Sequence, residues 1–227
     1  HNIKGYSVND GELINIGALK VKDDQIVAIY KQPLTKKIRQ DSSKGVDLVI
    51  DGKGQTVLPG LIDAHGHVLN YGLSLLRADL RDSASEKEGV SITKTFVDDN
   101  AIQNWVFGRG WNQERWKNND FPTAKSLDAV FDKQPVYLTR VDGHAGWANS
   151  KAMALAGIDK DTKSPAGGEI IRDEQGNPTG VFIDNAMDLI THAIEKPSIQ
   201  AQEKILLKAL NHLAGLGLTS VHDAGVM

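Results

Sequence analysis

A largely apolar stretch beginning at Val57 runs into Asp63-Ala64-His65-Gly66-His67, so two histidines stand one residue apart at the end of a predicted strand. Because successive side chains of an extended strand point to opposite faces, His65 and His67 fall on one face together with Asp63. Neutral imidazole is a common ligand of zinc, iron and nickel. The spacing therefore predicts that this strand delivers His65 and His67 to a metal ion. The alternative is that both are ordinary polar residues at a strand end.

The composition is that of a globular protein with no electrostatic preference for polyanions. The chain has 227 residues, of which 40% are hydrophobic and 24% charged, and its formal net charge is -3. These values predict one large or two small domains with a buried core, and they argue against nucleic acid or an anionic membrane surface as a partner. The chain contains no cysteine, which excludes disulfides and thiolate metal sites.

The sequence leaves the cellular location open between the cytoplasm and the periplasm. No apolar run approaches the roughly 18 to 20 residues needed to span a bilayer, which predicts that the chain does not enter a membrane. The chain begins at His1 rather than at methionine, so we expect it to be processed, trimmed or excerpted, and an export signal is an open alternative.

Two patterns divide the chain near residue 58. Before it, residues 18–22, 25–30 and 47–50 are predicted as hairpin-like β segments, with a turn at Asp23-Asp24 and a solvated basic loop at 31–45. After it, helices alternate with strands, which we place at 106–111, 135–140 and 218–223. A short helix at 126–131, a hairpin at 169–172 and 179–184 and a helix at about 198–214 lie between them.

Alternation of this kind, with polar groups at strand ends, is typical of a (β/α)8 barrel. We therefore predict an α/β fold in which residues 1–58 form part of a β-sandwich domain and residues 59–227 form the first half of a TIM-like barrel. Half a barrel leaves two strand edges unpaired, so we expect aggregation, or a partner in the form of the other barrel half or a second copy of the chain.

The string from Asp51 to His67 resembles the first-strand signature of the amidohydrolase superfamily of metal-dependent hydrolases. Later motifs are similar to one branch of it, amidohydrolase family 3 or the YtcJ-like hydrolases. These motifs are Gly108-Arg109-Gly110-Trp111-Asn112-Gln113 through Trp116, Phe121-Pro122-Thr123-Ala124, Asp142-Gly143-His144-Ala145 and Gly217-Leu218-Thr219-Ser220-Val221-His222-Asp223. Residues 1–50 match only in general style, as the small sandwich that such enzymes build from both chain ends.

The resemblance implies hydrolysis of C–N bonds in amides, N-acyl compounds or cyclic imides by hydroxide on one or two divalent metals, with zinc as the expected ion. It implies that His65 and His67 bind the more buried metal. It also implies a bridging carboxylate from mid-barrel, for which Asp184 is the candidate; the alternative for Asp184 is a helix N-cap. His222 and Asp223 end a strand and face opposite ways, and His222 is our third metal ligand.

The resemblance places His144 in the substrate cleft, and hydrogen bonding that fixes its own loop is the alternative. Trp111, with Trp116 and Trp147, is a candidate wall of the substrate pocket, and core packing is the alternative. His192 and His212 lie in helical segments and are predicted to be structural.

Three functions remain open at the level of the sequence. The first is an amidohydrolase with a small amide-type substrate. The second is a truncated or non-catalytic relative that keeps the fold, because no second pair of strand-end histidines occurs before Met227. The third is a heterocycle deaminase of the same superfamily, which would use the same first-strand histidines.

Overall fold

The structure, a computed structural model, describes residues 1–225 apart from the side chain of Arg39. Helices and strands are interspersed along these residues, which makes the fold mixed α/β, as predicted. The chain divides into two compact units. The first contains residues 1–66 and 212–225, and the second contains residues 67–211. The predicted domain division after residue 58 stays a prediction.

The strands are, in chain order, β1 (Lys4–Asn9), β2 (Glu12–Lys22), β3 (Gln25–Lys31), β4 (Thr56–Val57), β5 (Leu61–Gly66), β6 (Ala78–Asp79), β7 (Val106–Trp111), β8 (Val136–Arg140), β9 (Ala145–Ala148), β10 (Gly168–Arg172), β11 (Pro178–Asp184) and β12 (Leu218–Asp223). The α-helices are α1 (Lys36–Ser42), α2 (Val68–Ser74), α3 (Glu86–Asp99), α4 (Ala124–Asp128), α5 (Ser150–Leu155), α6 (Met187–Thr191) and α7 (Ile199–Gly215).

The first unit begins with an antiparallel meander closed by two tight turns. Asp23 and Asp24 have φ angles of 48° and 62°, which is the left-handed geometry that a two-residue hairpin turn requires at both central positions. This confirms the turn predicted between the second and third strands. The strand order is β3-β2-β1-β4, with β4 parallel to β1.

Two expectations for the first unit are wrong. The basic segment 31–45 was expected to be a loop, but it contains α1, which begins after Thr35, whose hydroxyl accepts a hydrogen bond from the Ile38 N–H at 3.3 Å. A side-chain cap of this kind satisfies a donor that an isolated helix end leaves open. Residues 47–50 were expected to form a strand but have no regular structure, and Leu48 is 75% exposed.

The predicted strand before His67 is β5, and it pairs in parallel with β12. Two glycines of the 60–66 segment allow this close pairing. A Cβ added at Gly60 would lie 2.2 Å from the Thr219 side chain, and one at Gly66 would lie 2.6 Å from Val221 Cγ1. The strand at 218–223 lies at the predicted residues.

The second unit contains a six-stranded mixed sheet of order β10-β11-β9-β8-β7-β6. Strands β6, β7 and β8 are parallel, as the predicted alternation of strands and helices requires, whereas β8, β9, β11 and β10 are antiparallel. The predicted hairpin is formed by β10 and β11. Strand β9 was not predicted, and it makes this sheet mixed; the partial barrel is taken up below as a proposal.

Three tryptophans form the centre of the core of the second unit. Trp111 and Trp147 have no exposed surface and Trp116 is 6% exposed, and their ring centroids lie 6.1 to 6.4 Å apart. Each indole N–H donates to a backbone carbonyl: Trp111 to Leu138, Trp116 to Ser83 and Trp147 to Thr123. The packing is therefore apolar while each indole N–H is satisfied, which is what burial of tryptophan requires.

Within residues 1–225, no helix is both long enough and apolar enough to cross a membrane.

Candidate functional site

Two of the predicted metal ligands lie on neighbouring strands of the first unit. His65 is the next-to-last residue of β5, and His222 is the next-to-last residue of β12. The two strands pair in parallel, with Asp63 opposite Val221 and Gly66 opposite Asp223. Since parallel strands end at the same edge of a sheet, the two exposed histidines lie at one edge.

Two aspartates shape the same edge. One carboxylate oxygen of Asp63 accepts the His65 N–H at 3.0 Å, and one of Asp223 accepts the Gly225 N–H at 2.8 Å. Asp63 therefore fixes the backbone of β5 at His65, and Asp223 fixes the backbone just after β12 ends. Hydrogen bonds of this kind between Asp and a backbone group two residues on are typical of turns.

His67 lies one residue beyond the strand that was expected to contain it, because β5 ends at Gly66. His67 precedes α2 as its N-cap, with φ of -131° and ψ of 76°, and its carbonyl accepts the Tyr71 N–H at 2.8 Å. Strand alternation therefore does not determine the face of His67. Its role as a metal ligand stays a prediction.

The histidine and aspartate side chains at this edge are of the kind that binds a divalent metal, but too few of them come together to hold one. Imidazole and carboxylate groups are ligands of zinc and of related ions. Within the described part of the chain, however, no three His, Cys, Asp or Glu side chains come together closely enough to hold one. The described residues therefore do not complete a metal site.

The second unit joins two predicted site residues that lie 40 positions apart in the sequence. His144 Nδ1 lies 2.8 Å from Asp184 Oδ1, and the Asp184 N–H donates to the His144 carbonyl at 3.0 Å. Asp184 ends β11 with a φ of 46°, a left-handed conformation that is uncommon for a residue other than glycine. The N-cap of α6 is Ala186, so the alternative role of Asp184 as a helix cap is wrong.

A second ion pair supports the turn that carries His144. Arg140 binds both carboxylate oxygens of Asp142, at 3.0 and 2.7 Å, and Asp142 also accepts the His144 N–H at 3.0 Å. The hydrogen bonds from Arg140 hold the pKa of the Asp142 carboxyl below its usual value, and the His144 N–H adds to this effect. Arg140 and Asp142 therefore fix the backbone of His144, while Asp184 fixes its ring.

The comparisons with known proteins identify the family. The sequence profile described as the amidohydrolase family matches residues 48–227. The chain belongs to the amidohydrolase family. This confirms the resemblance predicted from the strand-end motifs, including its YtcJ-like branch.

Two curated relatives of this amidohydrolase-family chain are informative. The protein YtcJ of Bacillus subtilis is 34% identical over 170 residues, which are 75% of this chain and 32% of YtcJ. The N-substituted formamide deformylase of Arthrobacter pascens is 34% identical over 185 residues, which are 78% of this chain and 34% of the deformylase. The chain thus spans about a third of the length of each.

A solved structure shares the fold of this amidohydrolase-family chain. It is that of an uncharacterized metal-dependent hydrolase from Pyrococcus horikoshii, with a TM-score of 0.66 and 26% identity. The match covers 97% of this chain and 41% of the other.

In this family member the contact with Asp184 engages Nδ1 of the His144 ring. A carboxylate beside Nδ1 favours the tautomer in which Nδ1 carries the proton and Nε2 is the acceptor. The His144 side chain is 70% exposed, and Asp184 is 49% exposed, so the pair is open to a small molecule.

Trp111 lies where the packing alternative places it. Its ring has no exposed surface, and its N–H is bound to the Leu138 carbonyl at 2.8 Å. Its predicted contact with substrate stays a prediction that this position does not support. Sequence reasoning also missed the Arg140–Asp142 pair, although opposite charges two residues apart at a strand end are a visible signal.

Proposed function

We propose that this chain belongs to a metal-dependent hydrolase that cleaves C–N bonds other than peptide bonds, in an amide, an N-acyl compound or a cyclic imide. The observation that carries the proposal is the parallel pairing of β5 with β12, which brings His65 and His222 to one sheet edge. The relatives named above add support, since one deformylates N-substituted formamides and a structural neighbour is a metal-dependent hydrolase.

The fold proposed for this function is the first half of a TIM-like barrel, with residues 1–58 contributing to a β-sandwich and residues 59–227 to the barrel. Support comes from the parallel strands β6, β7 and β8 and from the parallel pair of β5 and β12. In a barrel of this type, the carboxyl ends of the strands carry the active site. His65, His222 and Arg140 all lie at or next to such ends.

The proposed metal ligands are His65, His67 and His222. Because residues 1–225 do not gather three such donors at one point, the site requires further ligands. A divalent metal, with zinc as the proposed ion, would supply an activated water molecule and polarise the carbonyl of the substrate.

The proposed roles of the second-unit residues follow from their contacts. Asp184 is the catalytic carboxylate, and in the structure it orients the His144 ring through the 2.8 Å contact to Nδ1. His144 then presents Nε2 as an acceptor, which takes a proton from the attacking water and afterwards donates that proton to the departing amine. The bridging role of Asp184 between two metals stays a prediction.

The experiment that tests the function measures metal content by mass spectrometry and formate release from N-butylformamide by the full-length protein. We expect a bound divalent metal and formate release, both lost in His65→Ala/His67→Ala and in His222→Ala. His192→Ala removes the histidine that follows α6 as its C-cap and serves as the control that keeps both.

Three other outcomes of these measurements would contradict the proposal. Metal and activity that persist in the histidine variants would show that these ligands are wrongly assigned. Ammonia release from heterocyclic amidines without amide cleavage would favour the deaminase, and absence of both metal and turnover would favour a non-catalytic relative.

The role of the Asp184–His144 pair is tested separately. Asp184→Asn keeps the size of the side chain but removes its charge, and we expect turnover to fall by about 10² if proton transfer depends on it. Asp173→Asn, which changes an acid that binds only its own turn, is the matched control. Unchanged turnover in Asp184→Asn would exclude the catalytic role.

A further inference from the structure

A cleft of about 880 Å³ lies in the second unit between α2 and the carboxyl ends of β6 and β7. Its lining includes three arginines, Arg77, Arg81 and Arg109, and one acid, Asp79. Its size is within the range of sites that hold small molecules. The function proposed above assigns no role to these arginines.

Only one of the three arginines is neutralised within the cleft. Arg81 binds Asp79 through Nε at 2.9 Å, and this contact lowers the pKa of the Asp79 carboxyl. The carboxylate of the cleft is therefore already committed to Arg81. The lining has two positive charges in excess.

Arg77 and Arg109 line the same cleft without an acidic partner. Among residues 1–225, neither guanidinium forms an ion pair with a carboxylate. Burial lowers the pKa of Arg77, and the neighbouring charge of Arg109 lowers it further. A bound anion between two neighbouring positive charges reduces their mutual repulsion.

The exposed end of the cleft reaches the turn that carries His144. Arg109 Nη2 lies 3.4 Å from the Val141 carbonyl, and a Cβ added at Gly143 would lie 3.6 Å from the same nitrogen. The Arg109 guanidinium therefore lies along residues 141–143, directly before His144. An anion bound by Arg109 would be a close neighbour of the His144–Asp184 pair.

We propose that Arg77 and Arg109 bind the carboxylate of a small substrate, so that the amide hydrolysed by this protein carries a carboxylate group. The choice of an amide rests on the proposed function, whereas the preference for an anion rests on the cleft alone. The planar guanidinium matches a carboxylate with two parallel hydrogen bonds. The cleft is concave and of small-molecule size, which favours such a ligand over a macromolecular polyanion.

The test compares two probes that differ only in charge, N-formylglycine and N-formylglycinamide. Their dissociation constants are measured by calorimetry on the full-length protein stripped of metal, so that the carboxylate cannot bind a metal instead. We expect the wild-type protein to bind N-formylglycine at least about tenfold more tightly, the effect of one charge-assisted hydrogen bond or more. Added salt should reduce the difference.

The variants locate the preference. Arg77→Gln and Arg109→Gln should each remove most of the preference for N-formylglycine. Because Arg109 is exposed, its replacement tests the site even if Arg77→Gln does not fold. Lys151→Gln removes one positive charge from exposed α5 and should leave the preference intact. Equal binding of both probes by the wild type, or a preference that survives in Arg77→Gln and Arg109→Gln, would overturn the inference. Inorganic phosphate that binds more tightly than N-formylglycine would overturn the assignment to a carboxylate.

The same probes separate this inference from the proposed function. Formate release from both probes at equal efficiency by the metal-loaded protein would leave the hydrolase intact and remove the anion site. Charge-selective binding without any release would leave the anion site intact and remove the hydrolase.

Discussion

The strands of the two units have similarly apolar sequences but very different surroundings. In β5 of the first unit, Leu61 is 57% exposed and Ile62 is 64% exposed, whereas in the second unit Val106 of β7 and Leu138 of β8 have no exposed surface. Both sets of residues predict strands equally well. The difference shows that an apolar pattern predicts the strand, whereas a covering layer of other elements decides whether that strand contributes to a core.

The two units also differ in how their polar groups are supported. In the first, the parallel pairing of β5 with β12 brings His65 and His222 to one sheet edge, and Asp63 accepts the His65 N–H. In the second, His144 is held through its backbone by Asp142 and through its ring by Asp184. The second unit therefore holds a histidine in a defined orientation, while the first provides donor groups at a shared edge.

The largest effect should come from Trp147→Ala, which empties the centre of the second unit. The ring has no exposed surface and its N–H binds the Thr123 carbonyl at 2.9 Å. We expect the free energy of unfolding in urea to fall by about 3 to 5 kcal/mol. Val8→Ala on β1, which removes a side chain that is 66% exposed, should change it by less than about 0.5 kcal/mol. Similar losses in both variants would contradict the contrast between the units.

The next effect concerns Asn149, a buried polar residue whose four hydrogen-bonding capacities are all used. Its Oδ1 accepts the N–H groups of Val136 and Ala152, both at 2.9 Å, and its Nδ2 donates to the carbonyls of Phe131 and Gln134 at 3.0 and 2.9 Å.

Asn149→Ala leaves buried backbone groups without partners, so we expect a loss of about 3 kcal/mol in the free energy of unfolding. The exposed Asn118→Ala is the control and should leave stability unchanged within about 0.5 kcal/mol. A loss as small as that of the control would show that the network around Asn149 adds no net stability.

A smaller effect should follow from Gly66→Ala, which tests the close pairing of β5 with β12. The added Cβ would lie 2.6 Å from Val221 Cγ1, so the strands must separate. We expect a loss of about 1 to 3 kcal/mol from this overpacking.

Gly215→Ala is the matched control for Gly66→Ala, because its added Cβ would meet no neighbouring element within 4 Å, and at the end of α7 it should not lower the stability of the protein. Equal melting temperatures for the two variants would show that the pairing of β5 with β12 is looser than described.

The smallest effect should be a change in the pKa of Asp142 when Arg140 is replaced. Arg140 lowers the pKa of the Asp142 carboxyl in the folded state, so the pair stabilises the fold above the unfolded pKa of about 3.9. This stabilisation is lost as the pH falls through the lower folded value. Arg140→Gln should raise the pKa of Asp142, measured by carbon NMR, and cost less than about 1 kcal/mol near neutral pH, because the carboxylate is partly exposed.

Asp173 is the internal control for the Arg140→Gln titration. Its pKa is lowered first by the backbone N–H of Asn177, which Arg140→Gln leaves in place. An unchanged pKa of Asp142 in the variant would assign its shift to the His144 N–H instead.

Local elements were predictable where neighbours in the sequence determine the geometry. The turn at Asp23-Asp24, the strand at 106–111 and the strand at 218–223 follow from turn residues and alternation, which depend only on adjacent positions. Helix α1 was missed because its basic residues resemble a solvated loop, although Thr35 supplies a cap. Strand β9 was missed because it has only four residues, 145–148, and its strand geometry comes from pairing with β8 and β11.

The site was predictable in its residue types but only partly in its arrangement. His144 and Asp184 were both singled out, yet the contact between them depends on the register that places Ile183 of β11 opposite Ala145 of β9. The clustering of Trp111 with Trp116 and Trp147, and the presence of Arg77 and Arg109 in one cleft, depend likewise on packing between distant segments.

The sequence by itself determined where strands and tight turns begin and end and which donor side chains stand at strand ends, because periodicity and turn chemistry are properties of consecutive residues. Only the tertiary structure decided that β5 ends before His67, that Asp184 binds His144 and that Trp111 is buried. Those outcomes depend on strand register and on the packing of a whole unit, where the free energy is shared among contacts between residues that lie far apart in the chain.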